Sequence, residues 1–510
     1  MNALALTLLL ATVDAPTVPK PVARAPVDAA VTVTKPVGMT LKSTPDFRST
    51  QPPPAAERAF VVPKIQTAVV PGTKLEVVLV EDHSLPAVQL RVVFPSGSIG
   101  DPTTKTGLSG ICSRLVNEGT TRLAKVAWEE ALADLAASVD VGAGVEQSYV
   151  SMRSLKDTWL PTLDLAVELV ATPGLREDDL KRVRDRALAQ LQQQKGSSAG
   201  IAQRLQSRVT WGSTHPLGAL MTEATLGAVT TSDCAAMMAG WRPDGARVFV
   251  AGDVTMAEVK SALAERVQRF KWIGVAAKAP AVPAAVFAND IDKGTVVLVD
   301  VPGAEQTVVV VAAEGPNRQA ADYDATSVMG AVLGGGFSSR INMNLREKHG
   351  YTYGARAGFS YLKGRGSFST TASLRTDSTG KALDEIKNEL TAMRAGPVTD
   401  VELGRERDGS LLAFPSSFAT SSATLDSWST LFFFGLPKDT LAKTPARLKA
   451  LKKSDLEKAA KTRLPKSFRV LVVGDAARIA AEVEAHAQAG TFGRAGPVTV
   501  VDADGQPKAK

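Results

Sequence analysis

The chain has few of the residues that metal sites and disulfide frameworks require. Its 510 residues include only two cysteines, Cys112 and Cys234. Two cysteines cannot build a disulfide framework or a cysteine-based zinc site. We expect two buried free thiols, with a single bridge as the alternative. The four histidines are His83, His215, His349 and His486. Because no two of them lie three or four residues apart, they cannot form a helical two-histidine metal motif.

Strong charge and long apolar runs are also missing. The formal net charge is +7 and aromatic residues make up 5% of the chain, with no basic block and no interleaved aromatic patch. This composition argues against a nucleic-acid partner. The apolar run at 3–13 is shorter than the roughly 20 residues that a membrane-spanning helix needs, so we expect no transmembrane helix. A chain this long exceeds the size of a single core and predicts two or more domains.

The first residues are typical of a targeting segment. We interpret residues 1–15 as a signal peptide, because an apolar run is followed by the small residues Val13 and Ala15 at cleavage positions. The run lacks a preceding Lys or Arg, which such segments usually carry. Residues 16–58 are rich in Pro and Ala and indicate an extended tether. We therefore expect export to the periplasm or another extracytoplasmic space.

An internal repeat organises the rest of the chain. The tetrapeptide Val-Val-Leu-Val at 77–80 recurs at 296–299, a separation of 219 residues. Arg-Val at 247–248 recurs at 469–470, a separation of 222, and a leucine–aspartate pair between these landmarks recurs at a similar distance. Three landmarks in one order at nearly one spacing favour a duplicated unit over apolar strands that merely look alike.

Each copy predicts the same mixture of elements. Val-rich segments favour strands, and longer periodic segments favour helices. The predicted strands are 75–80, 88–94 and 247–251, with 296–299, 307–312 and 469–473 in the second copy. The predicted helices of the first copy are 107–116, 128–137, 163–171 and 177–193, the last two split by Thr-Pro-Gly at 172–174. We therefore predict an α+β fold of two homologous domains, each a β-sheet packed with helices. The predicted domains are 59–275 and 291–495, with a linker at 276–290 and a tail at 496–510.

One segment of the second copy is specific enough to suggest a family. It runs from 333 to 354 and contains Gly334, Gly335 and Gly336, followed by Arg346 and Tyr353. Together with the duplicated unit and the Gly-Asp pair that closes each copy, it resembles the pitrilysin/insulinase metallopeptidases, which include the mitochondrial processing peptidase. The resemblance covers roughly residues 60–490. It implies two metallopeptidase-like domains in a clam-shell arrangement.

The zinc motif of that family is missing from the matching place. The family carries H-x-x-E-H on a helix of the first half, which puts two imidazoles and a glutamate on one face beside a zinc-bound water. Here the two metal histidines correspond to Gly110 and Arg114, and the catalytic glutamate corresponds to Ser113. The distal glutamate of the family should lie near Ala189 and Gln190, where no carboxylate stands. The resemblance therefore implies no metal on this chain.

Two neighbours of this degenerate motif need an interpretation. Arg114 places a fixed positive charge where the cation would bind, and like charges a few ångströms apart repel. We expect Arg114 to pair with Glu118 one turn later on the helix. Cys112 could be a substitute ligand, but a single thiol on an apolar helix favours packing in a core.

The motif of the second half is complete. By resemblance, Arg346 and Tyr353 bind the substrate backbone and help to stabilise the tetrahedral intermediate, which suits a guanidinium and a phenol. The alternative is a surface salt bridge for Arg346 and core packing for Tyr353. The three glycines do not fit a phosphate-binding or dinucleotide motif. We interpret Gly334, Gly335 and Gly336 as a tight turn that lets the backbone approach a partner or peptide closely.

These observations support three hypotheses. The first is a non-catalytic subunit that forms a heterodimer with a zinc-bearing homologous peptidase subunit and contributes Arg346 and Tyr353 to peptide cleavage. The second is a catalytically inert structural or peptide-binding protein of the same fold, similar to the respiratory-complex core subunits of the family. The third, an independently active peptidase with unusual ligands, has no histidine or carboxylate pairs to support it.

Overall fold

The protein is represented by a computed structural model, which describes residues 60–278 and 296–508. Two six-stranded mixed sheets, each packed with helices, confirm the predicted α+β class. The signal peptide at 1–15, the tether at 16–58 and most of the linker at 276–290 lie outside the described residues. Within the described ranges, every helix is too short or too polar to cross a membrane.

The first sheet is built from residues of the first half. In chain order its strands are β1 (Gln66–Val69), β2 (Glu76–Glu81), β3 (Ala87–Phe94), β4 (Ser138–Ala143), β5 (Ser148–Leu155) and β6 (Arg247–Gly252). Their spatial order is β1-β2-β6-β3-β5-β4. The β2–β6 pair is parallel and the other pairs are antiparallel.

The second sheet repeats this arrangement. Its strands are β7 (Val296–Asp300), β8 (Gln306–Gly315), β9 (Thr352–Tyr361), β10 (Gly366–Arg375), β11 (Arg469–Gly474) and β12 (Thr499–Val501). Their order is β12-β7-β11-β8-β10-β9, so five strands match the first sheet position by position. This match confirms the internal repeat.

The edge beyond the repeat differs between the two sheets. In the first half, β1 precedes β2 and pairs antiparallel with it. In the second half, β12 comes from the C-terminal segment and pairs parallel with β7. Part of the segment at 496–510, which we expected to be a tail, thus forms an edge strand of the second sheet.

The helices fall into two matching sets. Those of the first half are α1 (Leu108–Val116), α2 (Lys125–Asp134), α3 (Trp159–Ala171), α4 (Glu177–Lys195), α5 (Ser198–Trp211), α6 (Glu223–Gly227), α7 (Thr231–Ala239) and α8 (Met256–Arg269). Those of the second half are α9 (Tyr323–Gly334), α10 (Arg340–Asn342), α11 (Thr379–Ala395), α12 (Asp400–Ala413), α13 (Ser421–Phe433), α14 (Thr440–Lys449), α15 (Lys453–Arg463) and α16 (Ala476–Gln488). A π-helical turn, Met343–Lys348, continues directly from α10.

The central strands β2, β6, β7 and β11 are buried on both faces, which explains their continuous apolar runs in the sequence. Alternate residues of β2 enter different cores: Val77 and Leu79 face the helices of the first half, whereas Val78 and Val80 contact Trp428 of α13 and its neighbours. The second sheet is covered in the same way by α5, whose residue Leu205 packs among the valines of β7, β8 and β11. Helix α13 of the second half therefore covers one face of the first sheet, and helix α5 of the first half covers one face of the second sheet.

Candidate functional site

Helix α1, which carries the degenerate zinc positions, begins at a defined turn. Gly107 precedes the helix with a φ of 98°, a conformation that favours glycine. The carboxylate of Asp101 accepts hydrogen bonds from the backbone nitrogens of Gly107 and Ser109 at 3.2 and 3.1 Å. Burial raises the pKa of Asp101 above its ordinary value, although these hydrogen bonds oppose the rise. The start of α1 is therefore held in one orientation.

The three positions that match the zinc motif face different surroundings. The hydroxyl of Ser113 is buried and donates to the carbonyl oxygen of Ser109 at 2.7 Å, so it is engaged by its own helix. A Cβ placed on Gly110 would meet no atom within 4 Å, so this position opens into free space. The guanidinium of Arg114 is exposed, and its Nη2 lies 3.4 Å from Oε1 of Gln190 on α4.

These residues line a cleft of about 90 Å³ between α1 and α4, called the Arg114 cleft below. Its lining residues are Gly107, Gly110, Ile111, Arg114, Ala187, Gln190, Leu191, Gln194, Met221 and Leu226. This described lining contains no carboxylate, imidazole or thiolate, the groups that bind Zn²⁺ in proteins. Its single charged side chain is a cation. The residues of the Arg114 cleft therefore do not fit a zinc ion.

The same conclusion holds more widely for the described part of the chain. Across residues 60–278 and 296–508, no group of three or more His, Cys, Asp or Glu side chains is arranged to hold a metal ion.

The expected pair between Arg114 and Glu118 is wrong. Glu118 is buried, and its Oε2 accepts a hydrogen bond from Arg182 of α4 at 2.9 Å, with Arg186 3.8 Å from its other oxygen. The carboxylate thus turns toward basic residues of a neighbouring helix, which lie far away in sequence. Arg114 is left with the weak contact to the neutral amide of Gln190.

The expectation of two free thiols is also wrong. Cys112 of α1 and Cys234 of α7 form a disulfide with their Cα atoms 5.0 Å apart, within the usual range for such bonds. Both residues are fully buried in an apolar cluster. A separation of 122 residues concealed the pairing, because only the packing of α7 on α1 brings the two sulfurs together. Cys112 is thus held in a covalent bond and is not a substitute metal ligand.

The residues of the second motif lie together in a larger cleft. Arg346 is on the π-helical turn and Tyr353 is at the start of β9. Both line a cleft of about 530 Å³, called the Arg346 cleft below, to which Gln306, Tyr351 and Arg375 also contribute. The structure therefore brings together two residues that the sequence placed seven positions apart.

The polar groups of this pair face outward. Tyr353 is 86% exposed, which excludes the alternative of core packing. The guanidinium of Arg346 lies 4.8 Å from the ring centre of Phe337. Its Nε is 3.3 Å from the neighbouring Glu347, so the surface salt bridge of the alternative interpretation is present. Surface pairs of this kind are weak. Both the guanidinium and the phenol can therefore turn toward a ligand in the cleft.

Two asparagines, which the sequence did not single out, support this arrangement. The side-chain nitrogen of Asn344 donates to Glu385 and Glu389 of α11 at 2.8 and 2.7 Å, anchoring the π-helical turn. The side-chain oxygen of Asn342 accepts a hydrogen bond from the backbone nitrogen of Ala355 at 3.1 Å, tying α10 to β9. π-Helical turns occur often at functional sites. No local sequence signal marks either asparagine, because both partners come from other elements.

The three glycines have different roles. A Cβ on Gly334 would lie 2.1 Å from the backbone nitrogen of Ala357, so this glycine lets the end of α9 contact β9. A Cβ on Gly335 would lie 2.6 Å from the Cα of Ala331 in the preceding turn. A Cβ on Gly336 would meet no atom within 4 Å. The close approach at Gly334 and Gly335 is thus made to the chain's own backbone.

The two clefts share no lining residue. The first holds the degenerate metal positions and the second holds the Arg/Tyr pair. The fold and these clefts define a two-domain protein of the metallopeptidase type, in which the metal-binding side lacks its ligands.

Comparison with known families agrees with this class. Residues 76–221 match the model of Insulinase (Peptidase family M16), and residues 238–410 match the model of the Peptidase M16 inactive domain. The chain belongs to peptidase family M16. The resemblance inferred from the 333–354 segment and the repeat is thereby confirmed.

Individual relatives share part of this chain's sequence or its fold. The chain is 25% identical over 374 residues to the non-peptidase homolog YmxG of Helicobacter pylori, covering 71% of this chain and 83% of the relative. A crystal structure of a peptidase M16 inactive domain from Pseudomonas fluorescens is 23% identical, with a TM-score of 0.73 over 81% of this chain and 98% of that one. A chain of complex III₂ from Candida albicans is 11% identical, with a TM-score of 0.65 over 82% and 99%. The two structural likenesses establish the fold alone.

Proposed function

We propose that this chain is a non-catalytic subunit of an M16-type zinc peptidase, in which a homologous partner chain carries the metal. The coarser part of this statement, a catalytically inert protein of the M16 fold, is supported by the non-peptidase homolog and the inactive-domain relative. The observation that carries the finer part is the Arg346 cleft, where Arg346 and Tyr353 present their polar groups to solvent. In this position both side chains are accessible to a peptide that enters the cleft.

The chemistry of the pair suits peptide binding. A guanidinium offers several N–H donors in a plane, and a phenol offers one O–H donor. Directed at a peptide carbonyl, these donors hold the substrate backbone. Directed at the oxyanion of a tetrahedral intermediate, they stabilise charge that develops only during reaction. In the proposed complex, Arg346 and Tyr353 would act in this way, and the partner would supply zinc and its activated water.

The disulfide supports export of the protein. Disulfides form and persist in oxidising compartments and are rare in reducing ones. The Cys112–Cys234 bond, together with the signal peptide expected at 1–15, therefore favours the periplasm or another extracytoplasmic space as the site of action.

The proposal is tested by co-expression with an M16 chain that carries an intact H-x-x-E-H motif. The purified complex is assayed for peptide cleavage and for the zinc content of each chain. We expect the activity of the complex to fall about 100-fold in Arg346→Ala, the scale measured when one oxyanion donor is removed. Tyr353→Phe, which removes one hydroxyl, should also reduce the rate. Zinc should be found on the partner alone.

Matched controls come from the same chain. Arg407 pairs with its neighbour Asp408 much as Arg346 pairs with Glu347, but it lies on α12 and does not line the cleft. Tyr149 is a partly exposed tyrosine of the first half. Arg407→Ala and Tyr149→Phe should leave cleavage unchanged. Unchanged cleavage in both Arg346→Ala and Tyr353→Phe would refute the proposal.

A second candidate function is a structural or peptide-binding role without turnover. The observation that favours it is the likeness to a chain of complex III₂, which shows this fold in a chain of a larger complex. This candidate predicts that the complex, if one forms, cleaves peptides at the same rate whether Arg346 is present or replaced.

A further inference from the structure

The Arg114 cleft has properties of its own that the proposed function does not use. Where the family binds a divalent cation, this chain presents one guanidinium and two side-chain amides, those of Gln190 and Gln194. The rest of the lining is mostly aliphatic, with Ile111, Leu191 and Leu226 forming the apolar part. An anion bound here would meet one full positive charge and no carboxylate among the described lining residues.

The guanidinium of Arg114 is available for such a ligand. Its hydrogen-bond contact within the described chain is with Gln190 at 3.4 Å, a marginal length for a hydrogen bond. The nearby carboxylate of Glu118 is already bound by Arg182 and does not compete. Arginine pairs with carboxylates through two parallel N–H donors, the strongest common geometry for a charged hydrogen bond.

The pattern of charge and apolar surface selects the ligand. A guanidinium beside an aliphatic floor fits a group that carries a carboxylate and an apolar side chain on the same carbon atom. The C-terminal residue of a peptide has this chemistry. An internal aspartate or glutamate brings a carboxylate without an apolar group, and a neutral peptide segment leaves Arg114 without a partner.

We propose that the Arg114 cleft binds the C-terminal residue of a peptide, with the free carboxylate on Arg114 and an aliphatic side chain on the floor. Peptide-bond hydrolysis creates a new C-terminal carboxylate, so the products of a peptidase are peptides of this class. The binding itself needs neither zinc nor a partner chain, and this proposal does not depend on the role of Arg346.

The test uses the full chain alone and a fluorescein-labelled hexapeptide ending in leucine, in free-acid and C-terminally amidated forms. Binding is followed by fluorescence anisotropy at low and high salt. We expect the free acid to bind at least about tenfold more tightly than the amide, since the amide loses the charge-assisted hydrogen bonds. Higher salt should narrow this difference, because Arg114 is exposed. A matching free acid that ends in lysine should bind more weakly than the leucine peptide.

Two variants separately test the charge of the cleft and its open space. Arg114→Gln removes the charge from an exposed position and should abolish the preference for the free acid. Gly110→Leu places a side chain in open space on the cleft wall and should block both peptides. Leucine also has a higher helix propensity than glycine, so Gly110→Leu should raise the melting temperature while it reduces binding. Loss of binding with gain of stability cannot result from misfolding.

Arg186→Gln is the matched control, because Arg186 is an exposed arginine of α4 that does not line the cleft. It should bind both peptides as the wild type does. Equal binding of the acid and the amide, an unchanged preference in Arg114→Gln, or no binding of the free acid at millimolar concentration would each overturn the proposal. None of these outcomes bears on peptide cleavage by the two-chain complex, so the two proposals fail separately.

Discussion

Replacing Gly334 with alanine should destabilise the second half of the protein, whereas the same change at Gly336 should not. An alanine Cβ at position 334 would lie 2.1 Å from the backbone nitrogen of Ala357 and 2.4 Å from its Cβ. Neither atom belongs to a flexible side chain, so the end of α9 must move away from β9. At position 336 the added Cβ meets no atom within 4 Å.

The magnitude follows from two opposing effects. Forcing an extra carbon into a packed contact costs roughly 1–3 kcal/mol, occasionally more. Alanine in a helix gains about 1 kcal/mol over glycine, which offsets part of this cost at Gly334. A clash this short, against backbone, belongs at the upper end of the range, so we expect a net loss of about 1–2 kcal/mol. For a unit of about 200 residues this corresponds to a drop in Tm of roughly 2–8 °C.

The measurement is thermal unfolding of both variants and the wild type under identical conditions. Gly336→Ala should match the wild type or slightly exceed it, because alanine has less conformational freedom in the unfolded chain. A Gly334→Ala protein as stable as the wild type would refute the reasoning, as would equal destabilisation in both variants. In the first case the contact between α9 and β9 is looser than described. In the second case the glycines are needed for a backbone conformation rather than for space.

Three further predictions concern the bonds that hold the elements together. Cys112→Ser combined with Cys234→Ser should lower the free energy of unfolding by up to about 5 kcal/mol, the chain-entropy value for a loop of this length. Non-reducing peptide mapping should recover the linked pair from the wild type. Burial raises the pKa of Glu402, but hydrogen bonds, chiefly from Arg340, outweigh burial and lower the pKa from 4.5 to about 2. The ionised carboxylate therefore stabilises the fold above pH 4.5 and loses this effect as the pH falls toward 2. Glu402→Gln should therefore lower the free energy of unfolding at pH 7 by roughly 2–3 kcal/mol. In denaturant titrations, the difference in stability between this variant and the wild type should disappear as the pH falls from 4.5 toward 2. A difference that does not change with pH would contradict a stabilising role for the ionised Glu402. Leu205→Ala, in helix α5 where it covers the second sheet, should lower the free energy of unfolding by about 2–5 kcal/mol. The Tm of this variant should fall well below that of an exposed control, Leu412→Ala.

Much of the architecture could be read from local patterns. Repeated Val-rich segments at a spacing of about 220 residues predicted two similar sheets, and the strand orders confirm them. The Thr-Pro-Gly break at 172–174 does separate α3 from α4. The strands β4, β5, β9 and β10 were not predicted, because they are less apolar and mix small and polar residues. Their strand character comes from pairing rather than from composition. Strands β5 and β10 pair with β3 and β8, and strands β4 and β9 pair with β5 and β10.

For the candidate site, the sequence likewise revealed which residues are present but not which residues they contact. The identities of Gly110, Ser113 and Arg114 are enough to exclude zinc ligands at these three positions, because ligand character belongs to the side chain itself. The partners of these residues could not be predicted. Arg114 contacts Gln190 of α4, which lies 76 residues further along the chain. Glu118, the expected local partner of Arg114, instead accepts a hydrogen bond from Arg182 of the same helix α4.

The sequence alone therefore determined the family, the duplicated α+β unit and the loss of the metal ligands, since these depend on residue type and on periodicity along the chain. The tertiary structure alone decided the disulfide between α1 and α7, the exchange of α5 and α13 between the two sheets, and the two separate clefts. Each of these joins residues far apart in sequence. Their proximity depends on how whole elements pack, and no local pattern encodes it.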